Sequence, residues 1–311
     1  MEGVNPSGAW CRAFCGAALD PKLIDRIDGS GLHQTCMESG PPLATVRELG
    51  LVLMDYEASR PRSRQTRLGP SELGVPCDQQ LARKLAGMPR KTASAPAWAP
   101  LQGTAMHRQM EEVLGYWNER SGYLRWYIED ELSVDAGTKA IPPLTGVGDA
   151  FDRDYGMVVD WKLVGTSTLN KIKQARTRCA PVSDQVSAQY RVQAHLYGFG
   201  HLRKGRDVKW VRLVFLARTH KFADSLEWTE AFDPEVALEA IARYHTLHEL
   251  VSGLDLANNP QLISLIKASP GDGCTFCPFH NPAATNETEG CQGDVALNQR
   301  YVDKFEKGLI T

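Results

Sequence analysis

Hydrophobic side chains recur at two different periods along the chain, and segments of the two kinds alternate. Over residues 103–117, methionine, valine, leucine and tryptophan recur at helical spacing, which predicts an amphipathic helix. Alternating and β-branched apolar residues at 126–134, 145–153 and 157–164 predict three strands. A polar turn at 154–156 joins the last two strands, so they are predicted to form a hairpin.

The rest of the chain from residue 71 onward predicts helices around one further strand. Ser183 or Asp184 is placed to cap a long helix that ends near Leu202, after a polar, basic connection at 165–182. The remaining predicted elements are a short helix from Ser71 to about Gly87, a loop at 89–100, a strand at 209–217 and a helix from Pro234 to about Val251. The order helix, three strands, helix, strand, helix predicts an α/β core, a small mixed sheet flanked by helices.

Composition and charge narrow the classes of function. The chain has 311 residues, enough for one sizeable core with an appended module. Its formal net charge of -2 gives no global attraction for nucleic acid, so any nucleic-acid path requires a local basic patch. The sequence contains no apolar run long enough for a membrane span, and its first residues lack a secretory pattern. We therefore expect a cytoplasmic protein.

Eight cysteines in a chain without a secretory pattern favour metal ligands over disulfides. The segment 57–70 combines four arginines with prolines and predicts a basic linker. Ahead of it, two pairs of ligands predict a zinc module over residues 1–56, namely Cys11 with Cys15 and His33 with Cys36. The alternative is that these are ordinary cysteines in an irregular arm.

Two carboxylates and a lysine on the predicted hairpin are the strongest indication of chemistry. Because side chains alternate along a strand, Asp160 and Lys162 share a face. A turn centred at 154–155 places Asp149 opposite Asp160, and a shift of two residues, which pairs it with Lys162, keeps the same face. Two such carboxylates can share Mg²⁺ or Mn²⁺ for phosphodiester hydrolysis, with Lys162 beside the attacking water or the developing charge. The alternative is a surface hairpin with a simple ion pair.

Two further features surround this cluster. His107 lies at the margin of the apolar face of its helix and could supply a further metal ligand, although a lone helical histidine is more often an ordinary side chain. A polar stripe at i+4 spacing follows the basic connection and consists of Gln185, Gln189, Gln193 and Tyr197. It predicts either a solvated face or a row of hydrogen-bonding groups along a DNA strand or around the lysine.

These residues, in this order, resemble the RecB-like branch of the PD-(D/E)XK nuclease superfamily. The family's histidine motif matches 103–107, its Gly-x-x-Asp motif 146–149, its Asp/Glu-x-Lys motif 160–162 and its Gln-x-x-x-Tyr motif 193–197. The resemblance implies the restriction-endonuclease-like core of that superfamily. It also implies a metal site and catalytic residues: His107, Asp149, Asp160 and the backbone carbonyl of Trp161 for the metal, and Lys162 supported by Gln193 and Tyr197 for catalysis.

A subset of this branch carries an iron–sulfur cluster held by one early and three late cysteines. Its members are CRISPR-associated exonucleases and bacteriophage relatives, so a bacteriophage-encoded chain would act in the host cytoplasm. Cys77 matches the early position and Cys274 and Cys277 the late pair, which implies a [4Fe–4S] cluster with Cys291 as the fourth ligand. Cys291 lies farther from Cys277 than the family's usual spacing, so His280 is an alternative ligand and zinc an alternative metal.

The resemblance and the basic residues lead to hypotheses about function. Four cations lie between the Lys162 strand and the glutamine helix and predict contacts to DNA phosphates, or else a solvated loop: Lys171, Lys173, Arg176 and Arg178. We expect residues 71–311 to form a metal-dependent DNA exonuclease that acts on single strands or strand ends in recombination or end processing. The alternatives are a structure-selective endonuclease and a non-catalytic DNA-binding scaffold.

Overall fold

A five-stranded mixed sheet forms the centre of the described part of the protein. The structure is a computed structural model that describes residues 45–59, 66–91, 98–219 and 221–293. The strands lie side by side in chain order: β1 Trp126–Asp135, β2 Leu144–Asp152, β3 Met157–Val164, β4 Trp210–Ala217 and β5 Leu226–Ala231. Neighbours are antiparallel except β3 and β4, which are parallel.

Helices pack on both faces of this sheet, as the α/β prediction requires. The helices of the described residues are α1 Thr45–Ser59, which belongs to a separate unit, and α2 Asp78–Leu85, α3 Trp98–Ser121, α4 Thr166–Thr177, α5 Ala188–Arg203 and α6 Pro234–Gly253. Leu114 of α3 packs with Val159 and Trp161 of β3 on one face, and Ala194 of α5 packs with Val158 of β3 on the other. The predicted mixed sheet flanked by helices is confirmed. Within the described ranges, no helix has both the length and the apolar character that crossing a membrane requires.

The chain divides into two units, one of residues 1–65 with 92–98 and one of residues 66–91 with 99–311. In the first unit the structure describes α1, which includes residues 57–59 of the predicted linker. The predicted zinc ligands Cys11, Cys15, His33 and Cys36 lie outside the described residues, so the zinc module stays a prediction.

Three predicted helix boundaries were wrong. The α3 helix begins at Trp98 rather than Gly103, with Pro100 in its first turn, where a proline removes no internal hydrogen bond. The α5 helix begins at Ala188, after a short 3₁₀ turn at 182–184. Ser187 caps it, because its side chain accepts a hydrogen bond from the backbone N–H of Tyr190. The first short helix begins only at Asp78, since residues 70–74 form a turn.

Two elements were missed in the sequence. The predicted connection at 165–182 contains α4, whose Leu169 and Ile172 are buried in the core while its basic side chains are exposed. Strand β5 pairs with β4 and buries Trp228, which is 2% exposed. Both elements are short, so their few buried positions give a weak periodic signal.

Candidate active site and cysteine cavity

The β2–β3 hairpin has the register expected from its turn. Ala150 pairs with Val159 and Asp152 with Met157, so the next position places Asp149 opposite Asp160. There the side chain of Asp149 bends toward the partner strand, and its Oδ2 accepts a hydrogen bond of 2.8 Å from the backbone N–H of Trp161. The two predicted carboxylates are therefore neighbours at the point where the strands separate.

Asp160 and Lys162 form a buried ion pair, and both side chains form hydrogen bonds with Gln193 of α5. Nζ of Lys162 lies 2.5 Å from Oδ2 of Asp160, whose side chain is fully buried. Gln193 bridges the two: its Nε2 donates to Oδ1 of Asp160 at 2.9 Å, and its Oε1 accepts from Nζ of Lys162 at 3.0 Å. The hydroxyl of Tyr197 lies 3.3 Å from Nε2 of Gln193. Gln193 therefore fixes both charged groups from the neighbouring helix.

Burial sets the electrostatics of this pair. Burial raises the pKa of the Asp160 carboxyl, and the charge of Lys162 only partly offsets that effect. Burial alone would lower the pKa of Lys162, but the negative charge of Asp160 outweighs it, and the pKa is raised. Lys162 therefore holds its proton. The further negative charge of Asp149 adds to the raised pKa of Asp160, so this end of the site favours an additional cation.

A second group of ligands lies on the other side of Asp149. Nδ1 of His107, on α3, lies 3.1 Å from Oδ1 of Asp149. One ligand atom from each of His107, Glu129 and Asp149 lies within 4.8 Å of the other two. The hydrogen bond to Asp149 raises the pKa of His107, while burial and then the charge of Asp149 raise the pKa of Glu129. This mixed set of two carboxylates and an imidazole could hold a divalent cation.

Glu129 was missed in the sequence. Strand β1 pairs Ile128 with Ala150 and Asp130 with Gly148, so Glu129 falls opposite Asp149. Its φ of 46° lies in the left-handed region, which is uncommon for a residue other than glycine. Glu129 stands in a run of three acids, so alternation along the strand does not single it out, and only the pairing with β2 does.

The predicted polar stripe divides between two environments. Gln185 lies ahead of α5, and Gln189 donates to the backbone carbonyl of Ser71 at 2.8 Å. Gln193 and Tyr197 are each 6% exposed and turn toward Lys162. The stripe is thus neither a solvated face nor one continuous row, because the late start of α5 leaves Gln185 outside the helix.

The predicted DNA-contacting cations lie on α4 and at its C-terminal end. Lys171, Lys173, Arg176 and Arg178 are all exposed. Arg176 donates to the backbone carbonyl of Glu227, and Arg178 to the side chain of Gln174 at 3.3 Å. The helix follows directly from the strand that carries Lys162. The four cations therefore form the exposed side of the element next to the candidate site.

The early and late cysteines are widely separated in sequence but come together in the fold. Cys77, Cys274, Cys277 and Cys291 line one cavity of about 730 Å³ together with His280. Each thiol accepts a backbone N–H: Cys77 from Ser269, Cys274 from Gly271, Cys277 from Phe279 and Cys291 from Gly293. Cys179, in contrast, is exposed at the end of α4.

The segment around Cys291 is folded closely against His280. Residues 280 and 291 form an isolated β-bridge. Gly293 has a φ of 67°, and a Cβ there would lie 2.8 Å from the ring of His280 and 3.3 Å from Cβ of Cys274. A side chain at this position would displace the His280 ring, so the glycine allows the close packing of this segment.

Comparisons with known proteins give a fold likeness only. No family model matches the chain, and no curated protein matches it. Among solved structures, it is similar to an alkaline exonuclease, LHK-Exo, from Laribacter hongkongensis, with 12% identity, a TM-score of 0.40 and coverage of 66% of this chain and 97% of that one. That exonuclease in complex with dAMP has 13% identity and a TM-score of 0.41, covering 65% and 96%. A phage related exonuclease from Haemophilus somnus 129PT has 11% identity and a TM-score of 0.38, covering 57% and 80%.

Proposed function

We propose that this chain is a metal-dependent deoxyribonuclease with an active site of the RecB-like PD-(D/E)XK kind. The observation that supports it most is the convergence of Asp149, Asp160 and Lys162 at the separation of β2 and β3. Gln193 and Tyr197, the last of the four motifs in the sequence, reach the same point from α5. Four sequence motifs thus supply one cluster of side chains.

The donor set fits a hard divalent cation. We assign Asp149, Asp160, His107 and the backbone carbonyl of Trp161 to one divalent ion, with Glu129 beside His107 and Asp149. The carboxylate and carbonyl oxygens of this set suit Mg²⁺ or Mn²⁺. A cation there would polarise the scissile phosphate and lower the pKa of an attacking water. It would also offset the charge that raises the pKa of the buried Asp160 carboxyl.

Lys162 acts as a fixed positive charge in this proposal. The negative charge of Asp160 raises the pKa of Lys162 against the effect of burial, and the ammonium can donate hydrogen bonds and stabilise negative charge on the phosphate oxygens. Gln193 holds Lys162 and Asp160 in fixed relative positions before the substrate arrives. Such preorganisation reduces the reorganisation that the transition state requires.

In this proposal, the exposed cations of α4 bind the phosphates of the DNA substrate. Lys171 and Lys173 project from the helix that directly follows the Lys162 strand. Contacts from such residues to phosphates are independent of sequence and sensitive to salt. We propose that they guide a single strand or a strand end toward the hairpin, which makes exonuclease activity the first activity to test.

The cysteine cavity holds a [4Fe–4S] cluster in this proposal. Four thiols that each accept a backbone N–H suit thiolate ligation, and the glycine at 293 leaves room beside them. Zinc is the alternative occupant of these ligands, and iron and acid-labile sulfide analysis distinguishes the two. Bound there, the cluster would cross-link the start of the core to its end.

Digestion of linear and circular single-stranded DNA tests the proposed activity. Wild-type protein with Mg²⁺ or Mn²⁺ is expected to degrade the linear strand and leave the circle intact, and Lys162→Ala is expected to degrade neither. Lys209→Ala is the matched control, since that ammonium is 60% exposed and pairs with the exposed Asp207. Cutting of the circle would identify an endonuclease instead. No cleavage with retained DNA binding would identify a scaffold.

A further inference from the structure

Arg83, on α2, is a buried cation whose Nε has no partner. Among the lysines and arginines that the structure describes, it is the only one that is buried, at 1% exposure. Its Nη1 donates to the backbone carbonyl of Glu287 at 2.7 Å, and its Nη2 pairs with the Glu287 carboxylate. Its Nε is buried and has no hydrogen-bond partner. Because a buried N–H without a partner is costly, Nε is suited to a ligand that the chain does not supply.

The side chain of Arg83 lies where such a ligand would be. It lines the same cavity as Cys77, Cys274, Cys277 and Cys291. Its helix begins directly after Cys77.

The ion pair with Glu287 leaves part of this charge uncompensated. The Glu287 side chain is 39% exposed, so water screens it, whereas the Arg83 side chain is 2% exposed. A buried cation beside a partly solvated partner is costly unless further negative charge is present. A cluster with four thiolate ligands is an anion and would provide it.

We infer that Arg83 is a positioning residue for the iron–sulfur cluster, with its guanidinium compensating the cluster's negative charge and its Nε donating a hydrogen bond to a cluster sulfur. This inference rests on the cluster assigned under the proposed function. Reduction adds one electron to the cluster and therefore one negative charge. Net charge and hydrogen bonds to the sulfurs set the reduction potential, so Arg83 favours the reduced form.

A purely structural role for Arg83 makes a different prediction. As a tie between α2 and the segment around Glu287, it would contribute to folding stability without affecting the energy of an added electron. The reduction potential therefore separates the two roles, because it compares two charge states of one folded protein.

The test is a potentiometric titration of the full-length protein, purified without oxygen and reduced with dithionite. Wild type, Arg83→Met, Arg83→Lys and Glu287→Gln are compared by electron paramagnetic resonance and absorbance. Arg83→Met removes the charge and the N–H, and we expect a shift to lower potential. Arg83→Lys keeps the charge but removes Nε, and we expect a smaller shift in the same direction. Glu287→Gln keeps Arg83 and removes its anionic partner, and we expect no shift to lower potential.

Iron and acid-labile sulfide analysis of the wild type separates the inference from the cluster assignment. Wild type without iron and sulfide would refute the cluster and, with it, the inference. Wild type with a cluster, but equal potentials in all four proteins, would refute the role of Arg83 alone. If Arg83→Met does not fold by circular dichroism, Arg83→Lys decides: a lowered potential supports the inference, and an unchanged potential overturns the hydrogen bond from Nε.

Discussion

The backbone N–H of Trp161 donates a hydrogen bond of 2.8 Å to Oδ2 of Asp149. A side chain thereby takes a backbone donor of the neighbouring strand just past the last regular pair, Ala150 with Val159. The contact ties the first carboxylate to the strand that carries Asp160 and Lys162, so the three groups keep their positions without a bound ligand. The other carboxylate oxygen of Asp149, Oδ1, lies 3.1 Å from Nδ1 of His107.

Glu129 is predicted to contribute to cation binding at this site. Glu129→Gln removes one negative charge from a group whose ligand atoms lie within 4.8 Å of one another. We expect the Mn²⁺ concentration for half-maximal binding to rise roughly tenfold, within the range for losing a group that supports a metal site. Calorimetric titration with Mn²⁺ in the absence of DNA measures it. Glu131→Gln, an exposed acid on the same strand, is the control, and equal affinities for both variants would exclude Glu129 as a ligand.

Folding stability is predicted to depend on a buried histidine of α5. Burial lowers the pKa of His201 to about 3, and the charge of Arg206 acts in the same direction. The unfolded chain therefore binds this proton below its ordinary pKa of about 6.5, while the folded protein does not. The contribution of neutral His201 to the free energy of unfolding is complete above a pH of about 6.5. It is lost as the pH falls toward the folded pKa of about 3, by up to about 1.4 kcal/mol per pH unit.

Urea unfolding between pH 7 and pH 5 measures this contribution. The raised pKa of His107 acts in the opposite sense, since that histidine gains a proton more readily in the folded state. The informative quantity is therefore the difference between wild type and His201→Gln. We expect the free energy of unfolding of the wild type to fall more steeply with decreasing pH. Parallel profiles for the two proteins would mean that His201 does not supply the effect.

The four cavity thiols are predicted to bind iron as one set. Serine at any of Cys77, Cys274, Cys277 or Cys291 is expected to lower bound iron and sulfide and to remove the brown absorbance. Cys179→Ser is the control, since that thiol is exposed and outside the cavity. His280→Gln is expected to keep its iron. Retention by Cys291→Ser with loss in His280→Gln would make His280 the fourth ligand, and colourless wild type with stoichiometric zinc would exclude the cluster.

The exposed face of α4 is predicted to supply phosphate contacts. The double variant Lys171→Ala, Lys173→Ala is expected to bind single-stranded DNA more weakly than the wild type, whatever the base sequence of the DNA. If each lysine contacts one phosphate, the slope of log K against log salt falls by about 1.4. Fluorescence anisotropy across a salt series measures it, with the exposed Lys139→Ala as the control. An unchanged slope would place the DNA path elsewhere.

Much of the candidate site could be predicted because it depends on short-range geometry. The period of two along a strand and the position of one turn place Asp149 beside Asp160 and Lys162, and the structure has that register. Helix α4 was missed because its short apolar pattern, Leu169 and Ile172, is interrupted by exposed cations. From the sequence alone, a run of cations predicts an exposed loop. Only the three-dimensional core shows that the two apolar residues in this run are buried.

Long-range contacts account for what the sequence did not reveal. Glu129 is brought to Asp149 by the pairing of β1 with β2, which no local pattern fixes. Arg83 is charged and stands on a short helix, so local rules place it at the surface, yet it is buried against residues about two hundred positions later. Gln193 was found by its motif, but its role as a bridge depends on the packing of α5 on the sheet.

Single-turnover cleavage of a linear single strand tests the central claim most directly. Wild type, Asp149→Asn, Asp160→Asn, Lys162→Ala and the control Lys209→Ala are compared at saturating Mn²⁺, with folding checked by circular dichroism. We predict that the first three variants lose activity by at least about a hundredfold while still binding DNA, as expected when transition-state stabilisation is removed. The control should match the wild type. Wild-type rates in folded Asp149→Asn and Lys162→Ala would contradict the assignment of this hairpin as the active site.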